Sequence, residues 1–164
     1  MHYFDMLVKL YDLPEVHLPD ERMQNAQIRI VRPLPADKGR IDAYIRETFS
    51  AGWADEFSKA MNNTPVSCYA AYNVKKEIVG FSCYDATCRG FFGPIGVSED
   101  CRGLHVGREL LLHALYAMRE AGYGYAVIGW CEDKNVPFYD NSCGAVEIPN
   151  SFPGVYRNSP ATWK

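Results

Sequence analysis

The stretch Gly93-Pro94-Ile95-Gly96-Val97-Ser98-Glu99-Asp100-Cys101-Arg102-Gly103-Leu104-His105-Val106-Gly107-Arg108-Glu109-Leu110 decides how this chain folds. Its first part, with Phe91 and Phe92 just before it, is apolar and reads as a strand. A polar turn follows and ends in Arg102-Gly103. From Leu104 the apolar spacing becomes helical. Leu104, Gly107, Leu111, Leu115 and Met118 share one stripe, and Glu109, His113, Tyr116 and Glu120 share a more polar one. The spacing predicts a helix from Leu104 to about Ala121, stopped by Gly122 and Gly124.

A strand-turn-helix junction of this kind has a definite chemistry. The first amides of a helix have no intrahelical partner and carry the positive end of its dipole. Glycines at 103 and 107 leave that backbone open, and Arg102 and Arg108 add positive charge. The combination suits an anion, phosphate above all; the plainer reading is a well-capped strand-to-helix connection. Two familiar phosphate loops do not fit. There is no G-x-x-x-x-G-K-S/T run, and Gly103 and Gly107 do not make G-x-G-x-x-G.

The rest of the composition narrows the class. A chain of 164 residues predicts one domain with its own core, and 48% hydrophobic residues exclude a disordered chain. The net charge of −3 without a basic block argues against nucleic acid as a partner. No apolar run is long enough to span a bilayer, so no membrane role is expected. The start, Met1-His2-Tyr3-Phe4-Asp5, lacks a basic leader, and a cytoplasmic location is the expectation. Cys68, Cys83, Cys88, Cys101, Cys131 and Cys143 form no C-x-x-C pair. They are expected to be reduced thiols rather than disulfides or metal ligands, and no metal is expected.

Along the chain, Phe4, Leu7, Val8 and Tyr11 take i, i+3, i+4 and i+7 positions, which predicts an amphipathic helix over 1–13. Residues 14–26 read as a linker, so 1–26 is expected to form an arm and 27–164 the domain. Residues 27–32 alternate as a strand. A helix follows Asp37, and another covers 53–61. The runs 66–73 and 77–87 predict an antiparallel hairpin. In the strand at 89–97, Gly90, Gly93, Pro94 and Gly96 point to a bulge or a ligand's close approach. The apolar run 125–131 suits a central strand covered on both faces, joined to 89–97 by a right-handed parallel crossover. A short helix ending at Gly144 is expected within 132–145, a last strand over 146–156, and a tail over 158–164.

Arg102-Gly103-Leu104-His105-Val106-Gly107 resembles the central motif of the GNAT superfamily of acyl-CoA-dependent N-acyltransferases: Gln or Arg, two residues, Gly, one residue, Gly or Ala. His105 stands where that family has glycine, so it must take a negative φ or tolerate strain. Asn135 and Tyr139, before Gly144, resemble the second family signature. The resemblance covers about 27–156. It implies an α/β (α+β) fold: a mixed, mostly antiparallel central sheet with a splayed parallel strand pair and flanking helices. It implies that Arg102, Gly103, Leu104, His105, Val106, Gly107 and Arg108 cradle the pyrophosphate of acetyl-CoA. Ile95, Gly96 and Val97 would pair with the pantetheine arm and hold the thioester oxygen, Asn135 would contact CoA, and Tyr139 would protonate the departing thiolate.

In the family layout the two helices after Asp37 border the acceptor pocket, which makes Trp53, Asp55 and Glu56 substrate-binding candidates, with Asp85 at the hairpin end. Glu99 and Glu132, just past the two parallel strands, are candidates for the general base, beside Asp133 and Asp85. The resulting expectation is an N-acetyltransferase that moves acetyl from acetyl-CoA to a primary amine, small or peptide, by direct attack in a ternary complex. Alternatives are a CoA-binding sensor or interaction module without catalysis, an enzyme using a longer acyl chain, and a Cys–His nucleophile drawn from Cys83, Cys101 or Cys131 with His105 or His113. A homodimer through the arm or the last strands is a further expectation.

Overall fold

In the computed structural model, which describes residues 2–162, seven strands form one sheet in the order β2-β3-β4-β5-β6-β1-β7. They are β1 (Tyr3–Lys9), β2 (Arg29–Val31), β3 (Cys68–Tyr72), β4 (Ile78–Tyr84), β5 (Phe91–Val97), β6 (Tyr125–Glu132) and β7 (Val146–Ile148). All neighbours are antiparallel except β5 and β6. This is the mixed, mostly antiparallel sheet that the family resemblance implies.

Five helices flank the sheet among the described residues: α1 (Glu21–Ala26), α2 (Lys38–Thr48), α3 (Ala51–Met61), α4 (Val106–Glu120) and α5 (Val136–Cys143). Helix α4 lies on one face. Its Leu111, Leu115 and Met118 pack with Phe4, Met6, Val8 and Ile128, all essentially buried. Its Leu110 belongs to a smaller cluster with Met23 and Val79. Ser82 in β4 donates to the Leu110 carbonyl at 2.9 Å and fixes the helix height over the sheet. Helices α2 and α3 cover the other face, where Ile41, Ile45 and Phe57 meet Phe81 and Cys83. Each buried leucine or phenylalanine of this kind contributes about 1.5–3 kcal/mol.

Helix starts follow local chemistry. Ser50 caps α3 by accepting from Trp53 N at 3.1 Å. Asp37 precedes α2 but does not cap it; its carboxylate accepts from Leu34 N at 2.9 Å and closes the preceding turn. Gly144 ends α5 at φ 68, the left-handed stop that glycine permits.

Three expectations are corrected. Residues 3–9 form strand β1, not a helical arm, and lie between β6 and β7 inside the sheet. Phe4, Met6, Val8 and Leu10 alternate as well as Phe4, Leu7, Val8 and Tyr11 fit a helix, so both periods are present. The alternating set is the buried one, at 2, 1, 0 and 0% exposure. Strand β6 is not covered on both faces: Ala126, Ile128 and Cys131 are buried while Tyr125 and Trp130 are exposed. The last strand is only Val146–Ile148, and the chain then turns into a short helical segment, Gly154–Asn158. Residues 163 and 164 of the predicted tail lie outside the described residues.

Candidate active site

The site exists because two neighbouring parallel strands stop pairing. β5 and β6 pair only at Phe91 with Val127 and Phe92 with Ile128. Beyond that each strand is bent by an irregularity of its own. On β5, Gly93 has φ 124, Pro94 has no N–H to donate, and the register against β4 shifts between Ser82 and Tyr84. On β6, Trp130 has φ 50 and the register against β1 shifts between Phe4 and Met6. Asp5 holds that second bend: its Oδ1 accepts from Trp130 N at 3.1 Å, and its own N–H donates to Ser151 Oγ at 2.7 Å. Burial pushes the Asp5 carboxyl up, and the Trp130 N–H partly offsets this.

Between the splayed ends lies a cleft of about 1210 Å³. Ile95, Gly96 and Val97 form one wall, leaving backbone groups with no β6 partner. The start of α4 closes its outer end. Arg102, Gly103, His105, Val106, Gly107 and Arg108 all line the cleft; Leu104 does not, and packs instead with Met23 and Val106. Gly103 sits at φ 81. His105 sits at φ 67, so the residue at the motif's glycine position adopts the glycine's left-handed conformation. The first intrahelical bond is Glu109 N to His105 O at 3.0 Å. The N–H groups of Val106, Gly107 and Arg108 therefore precede the helical ladder. Arg102 is exposed, and Arg108 lies 3.8 Å from Asp20.

The floor comes from α5. Asn135, immediately before the helix, and Tyr139 within it both line the cleft. Tyr139 is 8% exposed, and burial pushes its phenol up from the ordinary 10. It stays a neutral hydroxyl.

The wall opposite β5 is built from side chains far apart in sequence. Glu56 on α3 accepts from Thr87 Oγ1 at 2.5 Å and from Tyr156 OH at 2.9 Å, both on Oε1. Burial and the Glu56 charge push the Tyr156 phenol up to about 12, so it remains a donor. Tyr156 also lies 4.9 Å, ring to ring, from Trp130, whose Nε1 donates to Pro153 O at 3.0 Å. Trp53 also lines the cleft, beside Phe49, 5.4 Å away ring to ring. Phe49 lies flat against Gly96, where an added Cβ would fall 2.5 Å from its ring.

Not every predicted site residue reaches the cleft. Asp55 is exposed and 3.5 Å from Arg46. Glu99 is exposed beyond the end of β5 and does not line the cleft. Asp85 accepts from Gly90 N at 2.8 Å and Tyr123 OH at 2.9 Å, closing a turn beside a separate cavity near the C-terminal end of α4. Glu132 does line the cleft, paired with Lys134 at 2.9 Å. All six cysteines are free thiols. Burial pushes Cys131 up to about 12 and Cys83 well above its ordinary value, the reverse of what a nucleophilic thiolate needs. Among the described residues no group of three or more His, Cys, Asp or Glu side chains is placed to hold a metal ion. None of the described helices is long and apolar enough to cross a membrane. Asp5, Asp20, Phe49, Trp130 and Tyr156 were not legible as site residues. Only Gly96, a glycine in a strand, hinted that a bulky group lies against it.

A mixed, mostly antiparallel sheet with one splayed parallel pair and flanking helices is the fold of the GNAT acetyltransferases. The chain matches the family model described as "Acetyltransferase (GNAT) family" over residues 39–145 and belongs to that family. A search of curated proteins finds no match. Among solved structures it is similar to the GCN5-related glucosamine N-acetyltransferase region of a fungal multi-domain GH3 β-N-acetylglucosaminidase, with a TM-score of 0.70 and 15% identity over 89% of this chain and 20% of that one. It is similar to a GCN5-related N-acetyltransferase from Sphaerobacter thermophilus, with a TM-score of 0.69 and 16% identity over 89% of this chain and 48% of that one. A GNAT family acetyltransferase from Brucella melitensis, solved with acetyl-CoA, matches with a TM-score of 0.51 and 16% identity over 69% of this chain and 82% of that one. The chain thus spans half or less of the length of the first two.

Proposed function

We propose that this protein transfers the acetyl group of acetyl-CoA to a primary amine within a ternary complex. The observation that carries this reading is the junction of the unpaired β5 backbone with the open amides of α4 in one cleft. In this reading the pyrophosphate sits on the N–H groups of Val106, Gly107 and Arg108, with Arg102 and Arg108 around it. The pantetheine arm runs along Ile95, Gly96 and Val97, in contact with Asn135. A backbone N–H of β5 holds the thioester oxygen as charge develops there; one such donor is worth on the order of 2.7–4 kcal/mol of barrier.

The amine nitrogen attacks the thioester carbon, the C–S bond breaks, and sulfur leaves as a thiolate that takes the Tyr139 proton. Burial supports a phenol that holds its proton until that thiolate forms. Glu56 first takes a proton from the bound ammonium, directly or through water, which frees the nitrogen lone pair; the proton that nitrogen loses after attack returns through water to Tyr139. Two hydroxyls fix the Glu56 Oε1. That geometry favours Glu56 over Glu132, whose partner Lys134 competes for its charge. A carboxylate flanked by Trp53, Trp130 and Tyr156 suits a cationic amine with an apolar or aromatic body.

The test is acetyl-CoA titration by calorimetry, followed by CoA release measured over a panel of aryl-alkyl amines, amino sugars and peptide N-termini. Micromolar binding with amine-dependent CoA release is expected. Binding without release from any amine would favour a CoA-binding module instead. No binding would remove the reading altogether.

A further inference from the structure

The left-handed turn at residue 105 is the unusual part of the cradle, because an imidazole side chain stands where the conformation favours glycine. The chain holds that turn from outside. His105 Nδ1 donates to Asp20 Oδ2 at 2.5 Å, across 85 residues of sequence. The other Asp20 oxygen accepts from Met23 N at 3.0 Å and caps α1. The Asp20 N–H donates to Glu109 Oε2, in the first turn of α4, at 2.7 Å. Two residues on, Arg22 donates to the Gly103 carbonyl at 2.9 Å. Met23, 1% exposed, packs with Val106 and Leu110. Both positive-φ residues of the loop, Gly103 and His105, are therefore tied to the segment 20–23.

A glycine at 105 would reach this conformation unaided, but would leave it as readily. A histidine reaches it only when its surroundings over-determine it. We infer that Asp20 is a positioning residue for acyl-CoA: its bond to His105 holds the left-handed turn that presents the α4 amides to the pyrophosphate. The inference rests on the reading of that helix start as the pyrophosphate site. Asp20 does its work through His105 and not by touching the ligand, where a carboxylate would repel phosphate.

Asp20→Ser separates these roles. Serine caps α1 as well as aspartate does and keeps the backbone N–H to Glu109, but it is too short to reach His105. Acetyl-CoA titration of the full chain is compared for wild type, Asp20→Ser, His105→Gly and the double variant, with melting temperature as the folding control. Asp20→Ser is expected to weaken binding about tenfold, a coupling typical of residues in direct contact. His105→Gly is expected to bind within about threefold of wild type, and Asp20→Ser should add little in that background. An equal loss from Asp20→Ser in both backgrounds overturns the inference, since Asp20 would then act by another route. Unchanged binding in Asp20→Ser overturns it too. A large loss in His105→Gly alone would make His105 a direct ligand contact and also overturn it. If wild type itself fails to bind acetyl-CoA, it is the proposed function that falls.

Discussion

The two walls of the cleft are built on different principles. The wall made by β5 and the start of α4 is mostly backbone: a strand whose partner has turned away, and helix amides ahead of their ladder. The opposite wall is mostly side chain, with Glu56, Thr87, Trp130 and Tyr156 brought together from four separate segments. Backbone groups present the same chemistry whatever the residue, so the first wall suits a constant ligand. Side chains change one at a time, so the second suits a ligand particular to this protein. Substitutions on the two walls should therefore fail in different ways.

The largest effect is expected where a side chain is forced onto the backbone wall. A Cβ at Gly107 meets only ordinary contacts, 3.5 Å from Val97 and 3.6 Å from Phe138, so the fold tolerates it. Gly107→Glu places a carboxylate among the amides proposed to hold the pyrophosphate. Loss of measurable acetyl-CoA binding by calorimetry, with the melting temperature little changed, is the expected result. Retained binding would mean that the pyrophosphate does not use the α4 amides.

Tyr139 stands between the walls. Tyr139→Phe should lower kcat about 10²-fold or more, in the range of general acid catalysis, and leave the acetyl-CoA Kd unchanged. The acid must be protonated to act, and burial raises its pKa above the ordinary 10. Wild-type kcat should then show no alkaline fall up to about pH 10, and a fall near pH 9 would point to another acid. On the side-chain wall, Glu56→Gln should lower kcat/KM for the amine about 10²-fold with acetyl-CoA binding intact. Equal losses for both ligands would dissolve the distinction between the walls.

The same distinction explains what the sequence made legible. The backbone wall is local: strand, glycine turn and helix occupy one continuous stretch, 93–110, and hydrophobic period and glycine spacing report it directly. Asn135 and Tyr139 are legible for the same reason, within one short helix that ends at Gly144. The side-chain wall depends on contacts between residues about 100 apart in sequence, such as Tyr156 with Glu56, which no local period encodes. Strand β1 is ambiguous in sequence because its apolar residues satisfy two periods at once, and only the need of β6 for a second partner selects the strand. Asp20 was hidden in a polar stretch that resembles a linker until its bond to His105 is seen.

Glu109 is the exception that sharpens the comparison, an acidic side chain buried directly under the backbone wall. It is 1% exposed; Oε2 accepts the Asp20 N–H, and Oε1 is buried without a hydrogen-bond partner among the described residues. Burial pushes its carboxyl above the usual 4.5; the Asp20 N–H partly offsets this and the Asp20 charge adds to it. The folded state thus favours the protonated form. Stability linked to this group is fully present below pH 4.5 and is lost as pH rises through the folded value. Glu109→Gln keeps an oxygen for the Asp20 N–H and cannot ionise. It should melt above wild type at pH 8, where the unfolded wild-type carboxyl is ionised. The gain should vanish below pH 4.5, where the wild-type carboxyl is protonated in both states. Thermal unfolding followed by circular dichroism at the two pH values reads both signs. A wild type as stable as the variant at pH 8 would mean that Arg108, 3.8 Å from Asp20, already neutralises the buried pair. Removing the charge should also strengthen acetyl-CoA binding if the phosphates sit on the α4 amides as proposed, since a carboxylate in the first turn of α4 would oppose them.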